Sequence, residues 1–174
     1  AAFEVTAASL KKIDNTSSKF NMVGYVLKNT ISAFGSVSRG ECMVNDKGFL
    51  TGLTERTHIE KVDGLLKYKD DAGALHPISE ETIVSMNFFG FTPKYFELTA
   101  SLFEQFLEKN YKEPKAEFFI PLAINHLIVN KQGSMEVLKS DARWFGVTYK
   151  QDKEYVTSEI QKLKDTGVYP EKLW

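Results

Sequence analysis

A carboxylate, a guanidinium and a hydroxyl stand together at Glu55-Arg56-Thr57, after the apolar run Phe49 to Thr54. Placed at the end of a strand, such side chains point into the crevice at the carboxyl edge of a sheet and can bind a polar ligand. A solvated strand end is the plain alternative. Asn87 is a second candidate, an amide set inside Val84-Ser85-Met86-Asn87-Phe88-Phe89-Gly90. A buried amide needs hydrogen-bond partners, supplied either by a ligand or by neighbouring backbone. Glu117 is a third, just ahead of an apolar helical pattern, where a carboxylate also complements a helix dipole.

A fourth candidate is a corner, ARWFGVTYKQD from Ala142 to Asp152. It reads as a strand over Ala142 to Val147 that breaks near Gly146, followed by a helix opened by Asp152. Other chemistries find little support. His58, His76 and His126 are far apart and pair with no Cys or carboxylate at zinc-ligand spacing. No Gly-x-Ser-x-Gly elbow, Walker loop or Gly-x-Gly-x-x-Gly is present. Cys42, the lone cysteine, sits in a strand pattern without a cation to lower its pKa and reads as a buried structural thiol.

The elements that must position these residues follow from periodicity. Phe3, Ala7, Leu10 and Ile13 fall at helical spacing, and Phe20 to Leu27 reads as a buried strand. Gly40 to Val44 and Phe49 to Thr54 flank the turn Asn45-Asp46-Lys47-Gly48, the clearest hairpin. A smaller hairpin joins Leu65 to Lys69 with Leu75 to Ile78, and Ile83 to Phe91 is a long apolar strand. Thr92-Pro93 opens a helix whose inward face is expected to hold Phe96, Thr99, Leu102, Phe103, Phe106 and Leu107. A second helix from about Pro121 to Val129 buries Leu122, Ile124, Leu127 and Ile128, and a short strand follows over Met135 to Leu138. The last helix turns Tyr155, Val156, Ile160 and Leu163 inward and stops at Gly167. The order predicts an α/β fold, a mixed β-sheet with flanking helices and an antiparallel hairpin excursion.

Composition narrows the function. Hydrophobic residues are 43% of 174 and charged ones 26%, enough for a real core. A net charge of −1 argues against a nucleic-acid partner, which calls for a basic stripe. No apolar run of about 18 residues predicts a membrane span. No signal peptide is visible, and a single cysteine fits a reducing, cytoplasmic setting. The helical pattern is already under way at Ala1, so the expectation is a portion of a larger domain, open to homo-oligomerisation through exposed apolar surface.

Taken in order, GSVSRG, ERT, the Asn87 stretch with GFTP, EFFIP, WFGVTY and YPEKLW resemble the C-terminal half of the bacterial sugar-1-phosphate nucleotidylyltransferases, over nearly the whole chain. The resemblance implies the C-terminal, sugar-binding portion of a Rossmann-like nucleotide-diphospho-sugar transferase fold, spanning residues 1–174 as one unit. It implies transfer of a nucleotidyl group from a nucleoside triphosphate to a sugar 1-phosphate, with release of pyrophosphate. It also implies that these residues alone are inactive, because the triphosphate loop belongs to the other half. The family's Tyr-Gly pair reads Arg39-Gly40 here, and its Glu-Lys-Pro, fifteen residues beyond that Gly, reads Glu55-Arg56-Thr57. The implied roles are Glu55 on sugar hydroxyls, Arg56 on the sugar phosphate, Gly40 and Asn87 at the sugar ring, and Glu117 as the acid ahead of the next helix. The family's Trp-x-Asp-x-Gly-Thr-x-x-Asp keeps Trp144 and Asp152 but has Gly146 where an Asp helps to hold magnesium. Magnesium would then be held mainly by the other half, with Asp152 or Asp141 as weak substitutes. A non-catalytic module that binds a phosphosugar or nucleotide sugar is the alternative.

Overall fold

The computed structural model describes residues 2–140, 144–147 and 149–172. A first helix, α1 (Ala2–Leu10), precedes β1 (Lys19–Val26), and a short 3-10 turn over Leu27–Asn29 follows it. Next come β2 (Val37–Val44), β3 (Leu50–Val62), β4 (Leu65–Lys69), β5 (Leu75–Pro77) and β6 (Ile83–Gly90). Two helices, α2 (Lys94–Asn110) and α3 (Ile120–Val129), lead to β7 (Ser134–Ser140), and α4 (Asp152–Asp165) closes the order. The strands form one seven-stranded sheet in the order β5-β4-β3-β2-β6-β1-β7. β7 lies parallel to β1, while the pairings of β1 with β6, β6 with β2, β2 with β3, β3 with β4 and β4 with β5 are antiparallel. The expected α/β class, mixed sheet, flanking helices and hairpin excursion are all present.

Strand alternation sorts the core into two layers. Phe20 and Met22 of β1 join Cys42, Leu53, Tyr95, Ile124, Leu127 and Met135 on the face covered by α2 and α3. Val23 and Tyr25 point the other way and join Val37, Ile59, Leu66, Ile78 and Val84. β1 is therefore buried on both faces, which explains its nearly unbroken apolar sequence.

β3 is longer than the sequence pattern predicts, and this corrects the place of Glu55-Arg56-Thr57. They lie inside the 13-residue strand, not at its end. A bulge at His58, whose φ is 52°, explains how one strand serves two partners. Between the pairs Arg39–Arg56 and Val37–Ile59, β2 advances two residues and β3 three. The extra residue reverses the phase, so Leu53 faces one layer and Ile59 the other despite their even spacing.

Other departures also have local causes. Thr92 does not cap α2, because its hydroxyl donates to the Ser17 carbonyl at 2.6 Å. α2 buries Tyr95 and Thr99 but leaves Phe96, Phe103 and Leu107 exposed, and α3 leaves Leu122 exposed while burying Ile124 and Leu127. The helix pair thus covers less of the sheet than its apolar content suggested. Trp144 to Val147 is not a strand; Trp144 instead donates its backbone N–H to the Asn29 carbonyl at 3.2 Å. Asp141, Ala142 and Arg143 lie outside the described residues. Among those described, no helix is long and apolar enough to cross a membrane.

Candidate functional site

The site begins where two strands part. The ladder between β2 and β6 consists of the pairs Glu41–Val84 and Gly40–Ser85 and ends there. β6 then bulges: between the β1 pairs Gly24–Ser85 and Met22–Phe89, it carries Met86, Asn87 and Phe88 opposite the single residue Val23. Asn87 takes a φ of 55° in this bulge, a conformation that Asn tolerates better than most side chains. The gap is a cleft of about 100 Å³ lined by Ser38, Arg39, Gly40, Glu55, Ser85, Met86 and Asn87.

Three of the residues singled out in the sequence, Gly40, Glu55 and Asn87, therefore line one cleft. Gly40 pairs with Glu55 on one side and with Ser85 on the other. A Cβ at Gly40 would lie 3.2 Å from the Ser85 Cβ and 3.3 Å from a Leu53 methyl, so the missing side chain keeps the floor open. Asn87 corrects the expectation of a buried amide. Its side chain is exposed because the bulge swings it off the sheet, and its backbone N–H is satisfied by the Ser85 hydroxyl at 3.1 Å. Glu55 is exposed at the cleft mouth, yet desolvation holds its pKa above the ordinary 4.5, opposed by the charge of Arg39.

Arg56 and Glu117 are not part of this cleft. Consecutive strand residues face opposite ways, so Arg56 lies across the sheet from Glu55. There its Nε donates to Glu41 at 2.7 Å, and its guanidinium lies 4.3 Å from the centre of the Tyr68 ring. Glu117 is exposed, two residues before the N-cap Phe119 of α3, and lines none of the cavities described.

Sequence reasoning assigned no role to Arg39 or Ser85. Arg39 is only 8% exposed and packs its guanidinium 5.1 Å from the Trp144 ring centre. It donates from Nε to the Thr30 hydroxyl at 3.2 Å, from one terminal nitrogen to the Ser38 carbonyl at 2.7 Å, and from the other to the Thr30 carbonyl. The departure from Tyr-Gly at Arg39-Gly40 was the signal that could have flagged it.

The corner around Asp152 serves a different purpose. Asp152 is buried, accepting the Ser32 hydroxyl at 3.1 Å and the Tyr149 N–H at 2.7 Å. It ties the loop after β1 to the start of α4, which explains why a charged residue is buried there. A Cβ at Gly146 would meet the Trp144 ring at 2.6 Å, so this Gly lets the indole lie against the chain. Beside them is a cavity of about 340 Å³ whose walls include Ile31, Phe34, Trp144, Phe145 and Tyr155. Gly146 has no side-chain oxygen for a hard cation, and both Asp152 oxygens already accept protein hydrogen bonds. Among the described residues no three His, Cys, Asp or Glu gather to hold a metal ion. The described groups at this corner therefore do not fit a magnesium site.

No protein-family model matches the chain, and a search of curated proteins returns no match.

Proposed function

We propose that this chain is the sugar-binding portion of a sugar-1-phosphate nucleotidylyltransferase, and that the cleft between β2 and β6 receives the sugar. One observation carries the reading. Gly40, Glu55 and Asn87, chosen for their positions in an ordered set of motifs and spread over 48 residues of sequence, line the same cleft. In this reading the Glu55 carboxylate accepts hydrogen bonds from sugar hydroxyls. Gly40 lets the ring approach the backbone, and the Asn87 amide closes the opposite wall. The associated reaction is attack of the sugar-phosphate oxygen on the α-phosphorus of a nucleoside triphosphate, expelling pyrophosphate. Positioning supplies much of the acceleration in such a displacement. No loop for the triphosphate is recognised within these residues, and no magnesium step is assigned to them.

Titration calorimetry of the chain with a panel of hexose and pentose 1-phosphates tests the reading. Binding by at least one, weakened about tenfold or more by Glu55→Gln, is expected, in line with the loss of a charge-assisted hydrogen bond. If no member of the panel binds, or Glu55→Gln leaves every affinity unchanged, the assignment fails.

The corner favours weighing one other reading, a phosphosugar- or nucleotide-sugar-binding module without chemistry. Gly146 stands where the resemblance calls for a metal-binding Asp, and Asp152 is committed to Ser32 and Tyr149. A protein that contains this chain and binds sugar phosphate, but releases no pyrophosphate with any triphosphate and magnesium, would be such a module.

A further inference from the structure

We infer that Arg39, and not Arg56, is the cation that binds the phosphate of the cleft's ligand; the inference rests on the sugar-phosphate reading above. The two arginines stand opposite each other in the β2–β3 ladder but differ in what surrounds them. Arg56 has its charge answered by Glu41 at 2.7 Å and its face by Tyr68. Recruiting it would mean breaking that ion pair, and unlike Arg39 it does not line the cleft.

Arg39 is in the reverse position. It is more than nine-tenths buried, yet its acceptors are two carbonyls and a hydroxyl, with no carboxylate in ion-pair contact among the described residues. Three of the five N–H groups of a guanidinium are used this way, one on each nitrogen. A buried cation held only by neutral groups is costly, and an anion beside it offsets the cost. Glu55, on the same cleft, acts on it through charge and not through a hydrogen bond. Arg39 starts from the opposite face of β2 to Gly40, but it borders the cleft because the ladder between β2 and β6 stops at Gly40. The cleft's size agrees. At about 100 Å³ it has room for a phosphate group, with the rest of a ligand extending to its mouth. The ligand is thus a monoester with its phosphate in the cleft by Arg39 and its hydroxyls at the mouth by Glu55. Glu55 also sets the selectivity: a bare anion meets its negative charge, whereas a sugar phosphate offers it hydroxyl donors.

The test compares inorganic phosphate, hexose 1-phosphates and the matching free hexoses on the 174-residue chain and on Arg39→Gln and Arg56→Gln variants. Arg39→Gln should abolish the preference for the phosphorylated sugar, lowering its affinity about tenfold or more, with free-hexose binding unchanged. Arg56→Gln should change it less than about twofold. In parallel, the Nε–H resonance of Arg39 in the unmutated, ¹⁵N-labelled chain should shift on addition of hexose 1-phosphate while that of Arg56 stays put. This reading survives even if Arg39→Gln fails to fold. Sugar phosphates that bind without moving the Arg39 resonance, or that depend on Arg56, overturn the inference and leave the sugar site standing. Inorganic phosphate that moves the Arg39 resonance while no sugar phosphate binds supports the anion site and overturns the sugar reading. Failure of every ligand overturns both.

Discussion

Gly40 and Glu55 are direct partners in the antiparallel ladder of β2 and β3. Their separation of fifteen residues is the length of the hairpin that brings them face to face. The turn is held by the Asn45 side chain, which accepts the Lys47 and Phe49 N–H groups at 3.0 Å each. A spacing noticed in the sequence is therefore a register in space. It puts a carboxylate beside a residue with no side chain, at the point where β6 leaves β2.

Glu55 should give the cleft a pH signature. Desolvation raises its pKa in the folded chain above 4.5, so the folded state holds the proton more tightly than the unfolded state does. The stability this contributes at low pH is lost as pH rises through the folded-state value. Chemical denaturation from pH 4 to 7 should show this fall in the unmodified chain and not in Glu55→Gln. Sugar-phosphate affinity should run the opposite way, rising with pH as the carboxylate becomes an acceptor. Parallel stability profiles for the two proteins would remove Glu55 from this role.

Asn125 should matter to stability more than a half-buried amide on a helix usually does. Its amide oxygen accepts the Leu53 N–H at 3.0 Å and its amide nitrogen donates to the Leu53 carbonyl at 2.7 Å. It thereby stands in for a neighbouring strand on the part of β3 that β4 does not reach. Asn125→Ala should cost about 1–3 kcal/mol in urea unfolding, since it strips partners from two backbone groups. A loss within about 0.5 kcal/mol, the range of ordinary surface substitutions, would show the clamp to be dispensable.

Cys42 should be inert. It is 8% exposed, and burial, with Glu41 beside it, pushes the thiol up to about 12. Ellman's reagent at pH 8 should label it slowly in the folded chain and rapidly in denaturant. Fast labelling of the folded chain would overturn the structural role.

Gly146 should resist even a methyl group. Gly146→Ala places a Cβ 2.6 Å from the Trp144 ring, which must then shift against Arg39. A loss of about 1–3 kcal/mol is expected, read as a lower unfolding midpoint with altered tryptophan fluorescence. An unchanged midpoint would mean that the indole moves freely.

Much of this was legible in the chain, but not all. The hairpin at Asn45 to Gly48 could be read because turn chemistry is local, and β1 because a strand buried on both faces leaves a continuous apolar run. The position of Glu55 within β3 could not. The bulge at His58 has no sequence mark, and without it the strand reads as ending where polar residues begin. Asn87 was noticed for the right reason, a polar residue among apolar ones, but its burial was misread because a bulge moved the side chain outward. Arg56 takes its expected role from the resemblance, where it follows Glu55, whereas strand geometry puts such neighbours on opposite faces and leaves Arg56 off the cleft. Arg39 was hidden because its surroundings are made by the fold: Thr30 from across the loop before β2, and Trp144 from a distant part of the chain. The exposed faces of α2 and α3 show the limit of helical periodicity, which gives a stripe but not what covers it.

The most direct test of the sugar cleft is to map backbone amide shifts as a hexose 1-phosphate is titrated into the ¹⁵N-labelled chain. The account predicts that the largest changes cluster at Ser38 to Gly40, Glu55 and Ser85 to Asn87, with Glu117 and the corner at Gly146 unmoved. Saturable changes centred on the cavity beside Trp144 and Tyr155, or none at the β2–β6 cleft, would contradict it.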